Sequence, residues 1–183
     1  MQDAQAPLRS LYREKPTLAM VVDHARSCGP NPADPFRSLV EPMDGCGVSI
    51  PVGVHRALGG PHDAPTPGDL LCAALAACQD SALRLVANRL GVEILALEVR
   101  VAAQVDVRGA LGMADGVPVG FQSMTCDIDL KAKDGTAPKL LETLRVAAQR
   151  CCVVHQTLRH PPAITTRFGV LASDTGGTRK TAA

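Results

Sequence analysis

The chain has 183 residues, a net charge of +1 and 46% hydrophobic residues, a composition that fits one domain with its own core. It contains one Tyr, three Phe and no Trp, so few aromatic rings are available to stack on nucleobases. Because the charge is also nearly balanced, the sequence argues against a nucleic-acid-binding protein.

Hydropathy argues against two further classes. The longest uninterrupted apolar run extends only from Leu70 to Cys78, well short of the ~20 residues of a membrane-spanning helix. Residues 1–7 lack the basic stretch and apolar core of a secretory signal. We therefore expect a cytoplasmic protein with no membrane partner, whose thiols are kept reduced.

The first third of the chain predicts a flexible segment followed by three strands. Residues 1–15 are polar and contain proline, which is typical of a loosely ordered terminus. A proline-rich loop occupies 28–35, and a turn is predicted at Asp44–Gly45. Apolar and β-branched residues predict the strands at 17–24, 36–41 and 47–54.

The strongest helix signal follows the third predicted strand. Thr66 fits the N-cap, Pro67 the first helical position and Asp69 the third, which together form a capping-box pattern. The helix can continue to Leu90, and Gly91 then ends it. Its first half is apolar on every side, so we expect that half to be surrounded by protein.

The remaining pattern predicts two long strands, a helix pair and a last strand. Period-two alternation predicts the strands, and Thr136 is the predicted cap of the next helix. Hairpin strands followed by helices favour an α+β fold, in a single domain over 16–170 with a disordered tail at 171–183. The two long strands are predicted at 98–107 and 124–131, the helix pair at 136–149 and 151–158, and the last strand at 163–168.

Seven cysteines need an explanation, because an odd number fits poorly with a disulfide framework. Most are expected to be small core residues. Cys78 lies on an apolar stripe of the long helix, where burial alone would leave its thiol inert. Cys151 and Cys152 lie where one helix ends and another begins, and a helix N-terminus favours a low-pKa thiol. The seven are Cys28, Cys46, Cys72, Cys78, Cys126, Cys151 and Cys152.

A metal site is an alternative interpretation of one segment that contains two cysteines and a histidine. Cys151, Cys152 and His155 form a Cys–Cys–x–x–His sequence, but adjacent cysteines point in different directions and no Cys–x–x–Cys pair exists. No phosphate-binding glycine loop is present either. We therefore predict neither a metal nor a cofactor, and structural zinc remains the least favoured alternative.

Two segments of the sequence resemble the signature motifs of the OsmC/Ohr family of thiol-dependent hydroperoxide reductases. The first is PTPGDLLCAALAAC at 65–78, and the second is CVVHQTL at 152–158. This resemblance implies an OsmC-like α+β fold with antiparallel sheets, a long buried central helix and an intertwined homodimer. It also implies an antioxidant enzyme of the oxidative stress response.

The resemblance further implies residue roles and partners. Cys78 would attack an organic hydroperoxide and become a sulfenic acid, and Cys152 would resolve it as a disulfide. A dithiol such as dihydrolipoamide would then reduce the protein. An arginine after the first strand would activate the thiolate, with Arg26 as the first candidate and Arg37 as the second.

The sequence departs from the Ohr pattern at one position. Ohr-type members have a carboxylate ten residues before the peroxidatic cysteine, where it orients the activating arginine, and here that residue is Gly68. Asp69 points about 100° away on the helix. This departure favours an alternative function, in which the fold binds an apolar small molecule and has little or no peroxidase activity.

Overall fold

The computed structural model describes residues 2–43, 45–113 and 115–170. Short 3₁₀ turns at Pro16–Ala19 and Arg56–Leu58 accompany five helices and five strands in these ranges. In chain order the helices and strands are α1 (Gln2–Glu14), β1 (Ala25–Cys28), β2 (Ser38–Pro42), β3 (Ile50–Val52), α2 (Pro67–Leu90), β4 (Ile94–Gln104), α3 (Val107–Ala110), β5 (Ser123–Ala132), α4 (Pro138–Cys151) and α5 (Val153–Arg159).

The strands form two antiparallel sheets. One has the order β1-β2-β3, with Arg26 opposite Glu41 and Leu39 opposite Pro51. The other is the β4–β5 hairpin, in which Val101 lies opposite Cys126. Along β5, residues alternate between exposed and half-buried, as the period-two pattern predicts. Antiparallel sheets and a long central helix confirm the predicted α+β class.

The central helix α2 forms because its two ends carry strong local signals. Asp69 N donates to Thr66 Oγ1 at 3.2 Å, and Thr66 N donates to Asp69 Oδ2 at 2.8 Å, so the capping box is complete. The Thr66 amide and the Thr66 hydroxyl both donate to the Asp69 carboxylate, and these two hydrogen bonds lower its pKa. At the other end Gly91 adopts φ 71°, a left-handed conformation that favours glycine. The predicted start and end of this helix are confirmed.

We expect Thr66→Ala to lower the free energy of unfolding by about 1 kcal/mol, because it removes the hydroxyl that caps α2. Thr136→Ala is the matched control. Thr136 precedes α4 but does not cap it, since Ala137 holds the N-cap position without a side-chain hydrogen bond. Urea denaturation of both variants measures the difference, and equal losses would contradict a special role for the capping box.

The core lies between α2, the β4–β5 hairpin and the α4–α5 pair. Within this core, α2 makes its most extensive contacts with β4, α4 and α5. Half-buried residues of both hairpin strands pack against this cluster, so the core is built almost entirely from aliphatic and small side chains. Its buried members are Leu75, Ala82, Leu83, Val86, Ala87, Val92, Leu144, Ala148 and Cys152.

Several local predictions are wrong. They depend on strand pairing or side-chain packing, which the sequence pattern of a single segment does not show. Residues 17–24, predicted as a strand, form a 3₁₀ turn at Pro16–Ala19 and then a segment without regular secondary structure. Residues 163–168 are exposed and also have no regular secondary structure. Thr136 donates to Lys133 O instead of capping α4. Residues 2–14 of the segment predicted to be flexible form the helix α1, and the flexibility of that segment stays a prediction. The predicted tail at 171–183 and Asp44 of the predicted turn lie outside the described residues.

Only part of α2 is buried within one chain. Leu75 and the residues from 82 to 87 that face the core are buried, whereas Leu71 and Ala77 are exposed. Among the described helices, α2 is long and apolar enough to cross a membrane by length and composition, but the central helix of a globular domain meets the same criterion. The first half of α2 therefore presents an apolar face that this chain alone does not cover.

Candidate thiol site

The fold brings the two motif cysteines together. Cys78 lies in the middle of α2 and is half-buried, and Cys152 lies between α4 and α5 with 0% exposure. Because α2 packs against both of these helices, Cys78 packs against the core cluster that contains Cys152 and raises the pKa of the Cys152 thiol. The two cysteines, which are separated in sequence by the β4–β5 hairpin and α4, therefore lie in one site.

Burial dominates the chemistry of Cys152. Desolvation raises the pKa of its thiol to about 11, the backbone amide of His155 lowers it in part, and interaction with the Cys78 thiol raises it again. The sequence-based prediction of a low-pKa thiol at this helix junction is therefore wrong for Cys152. The first amides of α5 do favour the thiolate, but removal from water outweighs them.

A third thiol, Cys126, belongs to the same region. It lies on β5 and packs against the core cluster that contains Cys152. Burial, and secondarily the charge of Asp127, raises the pKa of Cys126, and its own charge acts on Cys152. The sequence treats Cys126 as an ordinary core residue. Only the inward alternation of β5 signals that it faces the site.

The two candidate arginines lie in ion pairs on the surface. Arg26 is 61% exposed, and its Nε lies 2.7 Å from Glu41 Oε2 on the neighbouring strand. Arg37 pairs with Asp63 at 2.6 Å and with Asp34 at 3.3 Å, which raises the pKa of the guanidinium. The assignment of either arginine to thiolate activation stays a prediction.

The space beside Gly68 is filled by an aromatic ring. A Cβ atom at this position would lie 3.0 Å from Phe121 Cζ, and Phe121 itself is half-buried. A carboxylate side chain at position 68 would require the ring to move. The glycine that departs from the Ohr pattern is therefore accompanied by an apolar cover from the β4–β5 connection.

Comparison with known proteins identifies the family. The family model described as OsmC-like protein matches residues 60–167, more than half of the chain, and includes both motif cysteines. The chain belongs to the OsmC-like protein family. No curated protein sequence matches it.

Solved structures share the fold of this OsmC-like chain at low sequence identity. An OsmC-like protein from Mycoplasma pneumoniae has a TM-score of 0.62 at 12% identity, with 77% of this chain and 89% of that chain covered. An OsmC-like protein of unknown function from Vibrio cholerae has a TM-score of 0.61 at 12% identity, with 75% and 94% covered. An organic hydroperoxide resistance protein from Legionella pneumophila has a TM-score of 0.53 at 22% identity, with 77% and 91% covered.

The predicted zinc alternative gains no geometric support in this OsmC-like protein. Cys151 is exposed whereas Cys152 is buried, so the adjacent sulfurs have different surroundings. Within 2–43, 45–113 and 115–170, no group of three or more His, Cys, Asp or Glu side chains is arranged to hold a metal ion. The site is therefore described by its thiols alone.

One amide in the core of the OsmC-like domain has no hydrogen-bond partner among the residues that the structure describes. Gln79, the residue after Cys78, is 1% exposed, and both its Nε2 and its Oε1 are buried without a hydrogen bond. Buried amides are normally satisfied, because an unsatisfied one costs about 1–3 kcal/mol. Gln79 is therefore a destabilising feature at the centre of α2.

We expect Gln79→Met to raise the free energy of unfolding by about 1 kcal/mol, because the thioether keeps the volume and removes the unsatisfied amide. Gln156→Met is the matched control. Gln156 is half-buried, and its Nε2 donates to Gln149 O at 2.9 Å, so its replacement should destabilise. Thermal and urea denaturation measure both effects, and a loss of stability in Gln79→Met would show that the amide has a partner.

Proposed function

We propose that this protein is a thiol-dependent peroxidase that reduces organic hydroperoxides. The observation that carries the proposal is the packing of Cys78 against the core cluster that contains Cys152, where Cys78 raises the pKa of the Cys152 thiol. These are the two residues that the family motifs single out. A sulfur that becomes a sulfenic acid needs a second thiol within bonding reach. Membership of a family that includes organic hydroperoxide resistance proteins supports a role in redox stress.

The proposed reaction has three balanced steps. The Cys78 thiolate attacks the terminal peroxide oxygen, the O–O bond breaks, and the alcohol leaves after it takes up a proton. Cys78 is then a sulfenic acid, and Cys152 condenses with it to form a disulfide and release water. A dithiol such as dihydrolipoamide then reduces the disulfide by two exchange steps and becomes oxidised itself.

The partners and surroundings follow from the same proposal. Leu75 and the other apolar residues near Cys78 would favour alkyl hydroperoxides over hydrogen peroxide. Arg26 is proposed to stabilise the thiolate, in a cytoplasmic homodimer. The dimer is supported by exposed apolar residues on α2, before β1 and after α5, among them Leu71, Val22 and Phe168. Exposed apolar surface of this kind usually has a partner.

The test is disulfide mapping by mass spectrometry after one equivalent of cumene hydroperoxide is added to the reduced protein. We expect a Cys78–Cys152 disulfide to form within the mixing time of a manual assay. Free thiols at both positions after prolonged exposure would overturn the proposal. Saturable binding of a fluorescent fatty acid in that case would favour the alternative, an apolar-ligand-binding protein, which the ring of Phe121 over Gly68 supports.

We expect disulfide formation to accelerate with pH. The pKa of Cys152 is raised to about 11, so its thiolate fraction grows about tenfold for each pH unit between 7 and 9. Cys78 is first converted to the sulfenic acid in a Cys152→Ala control, which gives the rate of the peroxide step at each pH. Rapid alkylation and mass spectrometry then give the rate of condensation in the natural sequence, and a flat profile would contradict resolution by the Cys152 thiolate.

A further inference from the structure

The junction of α4 and α5 carries a shallow, open groove of about 430 Å³ on the protein surface. The last two residues of α4, three residues of α5 and two residues after α5 line it. The buried Cys152 is not among them. The thiol in the groove belongs to Cys151, which is exposed and has no part in the proposed peroxidase reaction.

The side chains that line this groove favour an anionic ligand. Arg150 and His160 both line it and are exposed, and no Asp or Glu of the described residues lines it with them. A guanidinium binds a carboxylate through two parallel hydrogen bonds. The imidazole of His160 and the hydroxyl of Thr157 add further hydrogen-bonding groups. A thiol and a fixed positive charge therefore lie in one surface depression.

Hydrogen bonds between and within the two helices fix the shape of the groove. Gln156 Nε2 donates to Gln149 O at 2.9 Å, so its side chain ties α5 to the end of α4. Cys152 N donates to Ala148 O at 3.0 Å, and His160 N donates to Gln156 O at 2.9 Å. Because the backbone that carries the lining residues is held in this way, a ligand meets a preformed surface and less ordering opposes its binding.

We propose that this groove is a binding and modification site for a low-molecular-weight thiol that carries carboxylates, and that Cys151 forms a mixed disulfide with it. Arg150 binds a carboxylate of the ligand while the ligand sulfur bonds to Cys151. Weak recognition is enough in so open a groove, because the covalent bond retains the ligand. The inference is independent of the peroxidase proposal, since neither Cys78 nor a peroxide takes part.

Two other exposed thiols lack these surroundings. Cys28 and Cys46 are as exposed to solvent as Cys151 by class, but neither lines the groove. Arg26, two residues before Cys28 on the same strand, is paired with Glu41 at 2.7 Å. Cys46 donates its S–H to a backbone carbonyl oxygen at 3.2 Å. Both thiols therefore serve as controls within the same chain.

The modification step uses the disulfide form of the ligand as its oxidant. The Cys151 thiolate attacks one sulfur of the ligand disulfide in line with the S–S bond. That bond breaks, a bond between the Cys151 sulfur and the attacked sulfur forms, and the other half of the ligand leaves as a thiolate. The proton lost from Cys151 passes through water to this thiolate, so one protein thiol is oxidised and one half of the ligand is reduced.

The test compares an anionic disulfide, glutathione disulfide, with a cationic one, cystamine, on the reduced full chain. Rapid alkylation and peptide mass spectrometry give the rate of adduct formation at each cysteine, and fragment ions separate Cys151 from Cys152. The ratio of the two rates removes differences in intrinsic thiol reactivity. At low salt we expect this ratio at Cys151 to exceed the ratio at Cys28 and Cys46 about fivefold or more, and the excess should disappear in about 1 M NaCl.

Arg150→Gln tests the cation directly. The ratio at Cys151 should fall about two- to fivefold, the effect of one exposed ion pair, while the ratio at Cys28 stays unchanged. Arg159→Gln is the matched control, because Arg159 is exposed in the last turn of α5 but does not line the groove, and its loss should leave the ratio as it is. Equal ratios at the three exposed cysteines, or an unchanged ratio in Arg150→Gln, would overturn the inference.

Discussion

Cys78→Ser should remove hydroperoxide reduction, with a fall in the rate of about 1000-fold or more, to the level of the remaining thiols. A hydroxyl in place of the thiol cannot attack the peroxide at neutral pH, because its pKa is far higher and oxygen is a weaker nucleophile than sulfur. The substitution should change stability little, since the side chain is half-buried and nearly the same size. The measurement is consumption of cumene hydroperoxide with dihydrolipoamide as reductant.

The matched control for this prediction is Cys72→Ser. Cys72 lies on the same helix, is also half-buried, and has a pKa raised by burial and by the charge of Asp69. Its replacement should leave the rate within about twofold of the natural sequence, as expected for a thiol outside the reacting pair. A large residual rate in Cys78→Ser, or an equal fall in Cys72→Ser, would remove Cys78 from the peroxidatic role.

The largest effect on stability is expected at Leu83. This side chain is 2% exposed on the core face of α2 and belongs to the same cluster as Leu144 and Cys152. Leu83→Ala should lower the free energy of unfolding by about 3 kcal/mol, because both burial and packing around the resulting cavity are lost. Chemical denaturation of the reduced protein measures this loss.

Leu85→Ala is the control on the same helix. Leu85 is 39% exposed, so the same truncation there should cost no more than about 1 kcal/mol. A comparable loss at Leu85 would mean that this face of α2 is covered by another chain under the conditions of the experiment. Repeating the measurement over a range of protein concentrations distinguishes that case, because the stability of an oligomer rises with concentration.

Local signals determined which parts of the fold could be predicted. The limits of α2 follow from Thr66, Asp69 and Gly91, whose interactions span only a few residues. The hairpin strands follow from an alternation that is complete within each strand. The predictions at 17–24 and 163–168 failed because a strand also needs a partner, and the pattern of one segment carries no information about what pairs with it.

Only the cysteines that belong to the two family motifs could be assigned to the site from sequence. Cys78 and Cys152 are marked by the family resemblance, and the fold brings them together. Cys126 belongs to no motif, because its packing against the core cluster depends on how the β4–β5 hairpin packs against α2. The raised pKa of Cys152 was missed for a similar reason, since the depth of burial is a property of the whole fold, whereas a helix N-terminus can be recognised from sequence.

The proposed Cys78–Cys152 disulfide, between α2 and the α4–α5 junction, would link the redox state of the chain to its resistance to unfolding. A covalent bond between Cys78 and Cys152 would close a loop of roughly 75 residues, and the entropy removed from the unfolded chain corresponds to about 4 kcal/mol. The oxidised protein would therefore melt at a higher temperature than the reduced one. Reductant would then restore the thiols and loosen the domain in the same event.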